Sequence, residues 1–400
     1  MTRELFAGLA AAALIAPGMA LAQSPTAQSG PPANPASFPI GPLTVYPGVD
    51  LAVGHDDNLF LRPAARTSSS LTVLSPYVRA EARTGAHKFD LAFRIDDGHY
   101  YSSMADSYTD YSLIGAGDLV FSGRAGLKLR AETRHGHDPR GFTDRALSAT
   151  PDEYDNSGID GVFRYGAPGA HGRIEIDAGT FARRYTNNRT TTVAADRDTA
   201  QLGGAFYWRV MPRTELLAQA QYRNINYQFD SSTLDSTETR YLVGVRWEAT
   251  AATTGTAKFG RLKKDFDSPL RQDFSGSTWD VGVRWSPLSY SVVDFVSSKQ
   301  TGESTGIGDT IVTKLYGATW SHAWNSRLRT QALANFRNDA FTGAGVTRND
   351  DTTSFGLKVA YDFRRWLRFG AEYTHFQRDS NNDFFDYKRN LLLFTVGATL

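Results

Sequence analysis

The sequence predicts an all-β protein, a transmembrane antiparallel up-and-down β-barrel of about eighteen strands with both termini periplasmic. Three observations carry this. Apolar and polar residues alternate in segment after segment. The connections alternate between short turns and longer polar loops. The chain closes on Leu392, Phe394, Val396, Ala398 and Leu400, interleaved with Leu393, Thr395, Gly397 and Thr399. A strand with one apolar face that runs to the last residue needs a partner, and lipid tolerates no open edge, so the last strand is expected to pair with the first.

Composition narrows the classes. Lys and Arg total 43 and Asp and Glu 42, so nothing favours nucleic acid as a partner. Mean hydropathy is −0.38, and past the first residues no apolar run is long enough for a spanning helix. Barrel strands are only half apolar and escape that test. There is no cysteine, which removes disulfides, thiolate metal sites and a cysteine nucleophile.

The elements follow in order. Arg3, the apolar run from Leu5 to Ile15 and the small residues of Ala20-Leu21-Ala22 read as a signal peptide over 1–22. Residues 23–42 hold six prolines among Ser, Ala and Gln and read as an extended periplasmic lead-in. The barrel is assigned to 43–400. Its strands are expected near 45–60, 69–82, 87–101, 108–121, 125–136, 153–165, 171–186, 197–209, 213–229, 237–249, 254–266, 274–286, 288–299, 309–324, 327–338, 351–363, 366–379 and 386–400. In the third, Phe89, Leu91, Phe93 and Ile95 oppose Lys88, Asp90, Arg94 and Asp96. Side chains alternate across a strand, so each segment has an oily and a polar side. The 254–266 segment is the weakest, because Ala257 and Phe259 give way to Arg261, Lys263 and Lys264.

Length supports membrane crossing. A strand tilted by ~40° climbs roughly 2.5 Å per residue, so an apolar band ~25 Å tall takes about five outward side chains. Phe355, Leu357, Val359, Tyr361 and Phe363 supply such a face. Short turns at Thr84-Gly85-Ala86, Met211-Pro212 and Arg364-Arg365 alternate with loops such as 137–152, 187–196 and 339–350. Short periplasmic turns and long extracellular loops are the outer-membrane pattern.

Trp208, Trp247, Trp285, Trp324 and Trp366 lie at or beside short turns and are expected to form an aromatic girdle. Tyr100, Tyr101, Tyr108, Tyr154, Tyr185, Tyr227 and Tyr241 lie nearer the long loops, and Tyr46, Tyr165, Tyr207, Tyr290 and Tyr361 nearer the short turns. They predict a belt on each side.

The polar faces supply the pore-lining candidates: Arg79, Glu81, Lys88, Asp90, Arg94, Asp96, Arg130, Glu132, Arg134, Arg173, Glu175, Asp177, Arg246, Glu248, Asp280 and Arg284. Such a set tunes which solutes cross, or forms a solvated wall of cross-strand ion pairs. Its balanced signs argue against a strong ion filter. Asp56-Asp57-Asn58 and Asp379 with Asn381, Asn382 and Asp383 lack full calcium-loop spacing and read as rim or turn residues. His135 and His137 have no third metal ligand nearby in sequence. Gly302-Glu303-Ser304-Thr305-Gly306 fits a nucleophile-elbow pattern, but the elbow needs a following helix and a strand follows here. Residues 302–308 read as a mobile surface loop. Loops 137–152 and 339–350 are the expected constrictions. No catalytic, cofactor or metal site is assigned.

Two stretches carry a family resemblance. One is Gly54-His55-Asp56-Asp57-Asn58-Leu59-Phe60. The other spans 366–400, with Trp366-Leu367, Tyr373, Arg378, Ser380-Asn381-Asn382, Tyr387 and Asn390 before the closing strand. Both resemble the putative beta-barrel porin 2 family of bacterial outer-membrane proteins. The resemblance implies a channel for small solutes or saccharides, with a link to exopolysaccharide export. Outer-membrane lipid and the barrel-assembly machinery are the implied partners, with saccharide as cargo. The alternative is a barrel enzyme acting on lipid or peptide at the extracellular rim.

Overall fold

The computed structural model describes residues 35–399 except 144, 146, 147, 251 and 305. The signal peptide, most of the lead-in and Leu400 lie outside the described residues. A three-residue strand, β1 (Phe38–Ile40), pairs back on the start of the next strand, so the end of the lead-in is not free chain.

Eighteen long strands follow: β2 (Leu43–Asp56), β3 (Ser69–Thr84), β4 (His87–Tyr100), β5 (Tyr108–Val120), β6 (Ala125–Asp138), β7 (Asp152–Tyr165), β8 (Gly172–Tyr185), β9 (Arg197–Met211) and β10 (Thr214–Tyr227) form the first half. The second half is β11 (Ser236–Thr250), β12 (Thr253–Phe266), β13 (Phe274–Leu288), β14 (Ser291–Glu303), β15 (Thr310–Ala323), β16 (Leu328–Thr342), β17 (Asn349–Arg364), β18 (Leu367–Ser380) and β19 (Tyr387–Thr399). Every predicted strand is present, including the weak one at β12. Each pairs antiparallel with its sequence neighbours, and β19 pairs with β2. The closing register sets Leu392 opposite His55, Phe394 opposite Val53 and Val396 opposite Leu51. Closure leaves no edge strand among these eighteen. A Cβ on Gly54 would lie 2.2 Å from the Leu392 carbonyl oxygen, so this seam position requires glycine.

The period-two pattern fixes the two faces of the wall. Phe394 is 53% exposed on the exterior, whereas its neighbour Leu393 is 2% exposed inside. Phe89, Leu91 and Phe93 share the exterior, as do Val49, Leu51 and Val53. Trp208, Trp285, Trp324 and Trp366 stand out from the wall beside the short turns, and Trp247 lies on the same face, its ring against Gly255. An eighteen-strand cylinder at ~40° tilt has a radius of roughly 18 Å, which wall side chains alone do not fill.

The tyrosines correct the expectation of a second belt made of all seven loop-side residues. Tyr241 and Tyr101 are exposed, but Tyr100, Tyr108, Tyr154, Tyr185 and Tyr227 are buried on the inner face. They share the phase of the inner charges, as Tyr100 does with Arg94 and Asp96 on β4. Tyr46 and Tyr207 also lie on the inner face, leaving Tyr165, Tyr290 and Tyr361 outside near the short turns.

Candidate functional site: the lumen and its mouth

All sixteen predicted wall charges lie on the face opposite the exposed apolar residues. Most are tied to a neighbour. Arg79 reaches Glu81 at 2.8 Å and Asp90 at 2.6 Å. Arg94 reaches Asp96 at 2.9 Å and Asp50 at 3.3 Å. Arg130 pairs with Glu132, and the adjacent Arg134 is exposed on the same face. Lys88 stands opposite Asp118 in the β4–β5 register. Arg173 bridges Glu175 at 3.5 Å and Glu215 at 3.1 Å. Arg246 and Glu248 are 3.8 Å apart, Arg284 and Asp294 2.7 Å, and Asp280 and Lys258 3.0 Å. Sequence reading missed Asp50, Glu215, Lys258 and Asp294, although the phase of each strand's alternation marks them as inward.

Asp177 borders a recess in the wall of β8 to β11, shared with Gln201, Gln221, Arg223, Glu238 and Arg240. Arg240 donates to Gln221 at 3.3 Å and to Thr278 at 3.2 Å. Toward the short-turn half, Tyr46, Tyr77 and Tyr207 face inward and are partly exposed. The Arg173 guanidinium lies 4.1 Å from the Tyr207 ring centre.

At the long-loop end several loops pack against inner-face residues. Loop 57–68 turns in behind β2 and places Leu59 against Ala52, Leu71, Val73, Tyr100, Tyr108, Leu391 and Leu393. That apolar cluster lies inside the barrel. Arg140 stacks over Phe60 at 4.3 Å and pairs with Asp106 of the next loop. Loop 139–151 is held to the inner wall by Arg145. Arg145 bonds Asp138 and Asp152 at 3.0 Å each and lies 4.5 Å over Tyr185. Burial opposes the Arg145 charge, yet Tyr185, Asp138 and Asp152 raise its pKa above the ordinary value. On the other side Arg348 pairs with Asp350 and stacks between Phe341 at 4.4 Å and Phe385 at 3.4 Å.

The 302–308 segment is not a free surface loop. Pairing of β13 with β14 stops at Trp279 opposite Lys299, while β14 and β15 stay paired out to Glu303 opposite Thr310. The end of that hairpin leaves the wall and turns inward. Glu303 accepts from Lys264 Nζ at 2.6 Å and from Tyr227 Oη at 3.1 Å, and Thr301 donates to Glu238. Lys264 is fully buried. Arg271 fastens the turn through Asp309 at 2.8 Å and the Gly308 carbonyl at 3.2 Å. Residues of β10, β11 and β12 thus receive a hairpin from β14 and β15 across part of the lumen.

The other motifs are absorbed locally. His135 bonds Asp155 and His137 bonds Asp110, each at 2.8 Å. Ser304 donates to the Ile307 carbonyl at 2.7 Å. Asp57 accepts from Asn390 N and Nδ2 at 2.6 Å, and Asn58 donates to the Lys388 carbonyl at 2.8 Å. Asn381 donates to the Thr347 carbonyl at 2.6 Å. Of the residues that carried the family resemblance, Asp57 and Asn390 therefore meet at the seam, whereas Asn381 is held by the loop before β17.

Solved structures of similar fold include porins. A BenF-like porin from Pseudomonas fluorescens Pf-5 is 11% identical, with a TM-score of 0.50 over 90% of this chain and 99% of its own. OpdK from Pseudomonas aeruginosa, solved with vanillate, is 12% identical, with a TM-score of 0.51 over 89% of this chain and 99% of its own. No curated protein matches the sequence. The likeness is one of fold, a porin-like outer-membrane β-barrel. The profile of the family described as Putative beta-barrel porin 2 matches residues 31–400, so the chain belongs to that family.

Proposed function

We propose that the chain is a gated channel of the bacterial outer membrane that passes saccharides or other small polar solutes, with its long loops extracellular and both termini periplasmic. The single observation that supports this best is the inner wall. It combines paired charges, the amides of Gln201, Gln219 and Gln221, and the inward rings of Tyr46, Tyr77 and Tyr207. Sugar hydroxyls exchange hydrogen bonds with such amides and carboxylates, and sugar faces lie against aromatic rings. Balanced charge suits neutral or weakly charged cargo. The family resemblance adds the link to exopolysaccharide export. The inward hairpin and loop 139–151 are the gating elements of this reading. Barrel-assembly machinery inserts the chain, and outer-membrane lipid surrounds its apolar band.

The test is single-channel recording in a planar bilayer, with and without neutral and acidic oligosaccharides. Transient current blocks that lengthen with sugar chain length are expected. A folded, inserted protein that conducts under no condition overturns the channel reading, and one whose current ignores every sugar overturns the saccharide reading.

A further inference from the structure

The exterior carries charge unevenly at the loop-side edge of the apolar band. On β12 the outward series passes from Ala257 and Phe259 to Arg261 and Lys263. On β14 it reaches Lys299, and on β15 Lys314 follows Tyr316. Lys299 and Lys314 stand directly opposite each other in the antiparallel register. Like charges placed so destabilise a strand pair. Among the described residues no carboxylate lies within ion-pair distance of Arg261, Lys299 or Lys314; Lys263 alone has one, Asp265 at 2.8 Å.

The neighbours of these cations are hydroxyls and an aromatic ring. Lys299 Nζ donates to Ser277 Oγ at 3.0 Å and lies 5.7 Å from the Trp279 ring centre. Arg261 Nη2 donates to Ser275 Oγ at 3.4 Å. Each serine oxygen accepts from a cation and keeps its own hydrogen to donate. Elsewhere on the exterior at this level charge is matched or acidic, apart from the single Lys388 of β19, which stands opposite Gln377. Arg184 pairs with Asp198 at 2.6 Å, and His135 with Asp155 at 2.8 Å.

We propose that this patch on β12 to β15 binds the phosphate groups of a phosphorylated lipid in the loop-side leaflet. The inference rests on the membrane-barrel reading. Acyl chains would lie on Phe259, Trp279 and Tyr316, directly below the cations. Phosphate oxygens would bridge Lys299 and Lys314 and take the Arg261 guanidinium and the two serine hydroxyls, turning a repulsive pair into a chelating one. A basic residue near an anionic lipid surface contributes about five-fold in binding.

The experiment uses the purified full chain in mild detergent and a phosphorylated glycolipid beside its dephosphorylated counterpart of equal acyl content. Membrane association after alkaline washing and heat-modifiable gel mobility are scored first; failure there sinks the membrane reading, and this inference with it, before any lipid is added. Native mass spectrometry is expected to retain the phosphorylated lipid and lose it by more than ~25-fold in K299Q/K314Q/R261Q, while R184Q keeps it. A second readout is a reversal of sign. K314Q alone should raise the unfolding temperature in phosphate-free detergent and lower it in the phosphorylated lipid. Equal retention of both lipids, or retention unchanged by the triple substitution, overturns the proposal. So does inorganic phosphate alone giving the lipid's full stabilisation, which would mark a site for a free anion.

Discussion

Asp56 and Arg389 lie 333 positions apart and form a buried ion pair in which Nε and Nη2 both donate to Oδ2, at 3.0 and 2.6 Å. The pair joins the end of β2 to the start of β19 on the inner face. Beside it the Asp57–Asn390 and Asn58–Lys388 contacts stitch the same seam. The strand pairing that closes the barrel therefore has its own side-chain fastening. Removing one member leaves the other charge buried and alone, which costs about 3–5 kcal/mol. Asp56→Asn is expected to lower the temperature at which the heat-modifiable gel shift is lost. A shift unchanged in Asp56→Asn would mean that backbone pairing alone holds the seam.

The Lys264–Glu303 pair does for the hairpin what Asp56–Arg389 does for the seam. Glu303→Gln leaves the fully buried Lys264 ammonium without its countercharge, and the hairpin end of β14 and β15 loses its hold on β10 and β12. Single-channel conductance should rise and flicker more in this variant, with gel mobility unchanged. The double variant Lys264→Met/Glu303→Leu restores a neutral, apolar contact and should close the channel again, because a matched apolar pair replaces a buried ion pair at little cost. Conductance equal to wild type in Glu303→Gln removes the hairpin from the gate.

Arg145 predicts a second, independent restraint on the mouth. It holds loop 139–151 through Asp138, Asp152 and the face of Tyr185. Arg145→Ala takes away both ion pairs and the stacking partner, so the loop should become open to limited proteolysis while the barrel stays resistant. Cleavage within 139–151 at the wild-type rate would show that the loop is held by other contacts. Because the two restraints share no residue, Arg145→Ala and Glu303→Gln should add in conductance.

The strands were legible because every one of them obeys the same period and is bounded by turn residues, as at Gly85 and Pro212. Closure followed from the pattern of β19 alone. The inward hairpin was not legible, since Thr301 and Glu303 continue the outward phase of Phe295 and Ser297. Sequence phase tells which face a side chain takes, and not that the face is later covered by the nearby inner wall of β10 to β12. The buried tyrosines are a different case. Tyr227 shares the phase of Gln221 and Arg223, so its inward direction was readable, but residue type suggested a belt. A tyrosine suits either place, with an apolar body and a hydroxyl that seeks a partner.

The tryptophan girdle fixes where the band meets water. Trp208, Trp285, Trp324 and Trp366 are about half exposed on the exterior beside short turns. In vesicles their fluorescence should be quenched most by lipids brominated near the headgroup and least by those brominated at the chain end. Trp279, beside Lys299 at the other edge, is expected to behave alike from the opposite leaflet. The strongest quenching from chain-end bromines would place the turns within the hydrocarbon and misplace the band.

Ion selectivity follows from the wall recess. Asp177, Glu238 and Asp280 face Arg223, Arg240 and Lys258 along the same stretch of β8 to β13, three of each sign. The reversal potential across a salt gradient should therefore lie near zero. Arg223→Gln/Lys258→Gln removes two cations and leaves all three carboxylates, two of them without their partners. The reversal potential should then move toward the cation's equilibrium value. The shift must shrink with ionic strength, because the screening length falls from ~10 Å at 0.1 M to ~3 Å at 1 M, well below the strand cylinder's radius of roughly 18 Å. A shift of the opposite sign, or one indifferent to salt, would mean that permeating ions do not pass along this wall.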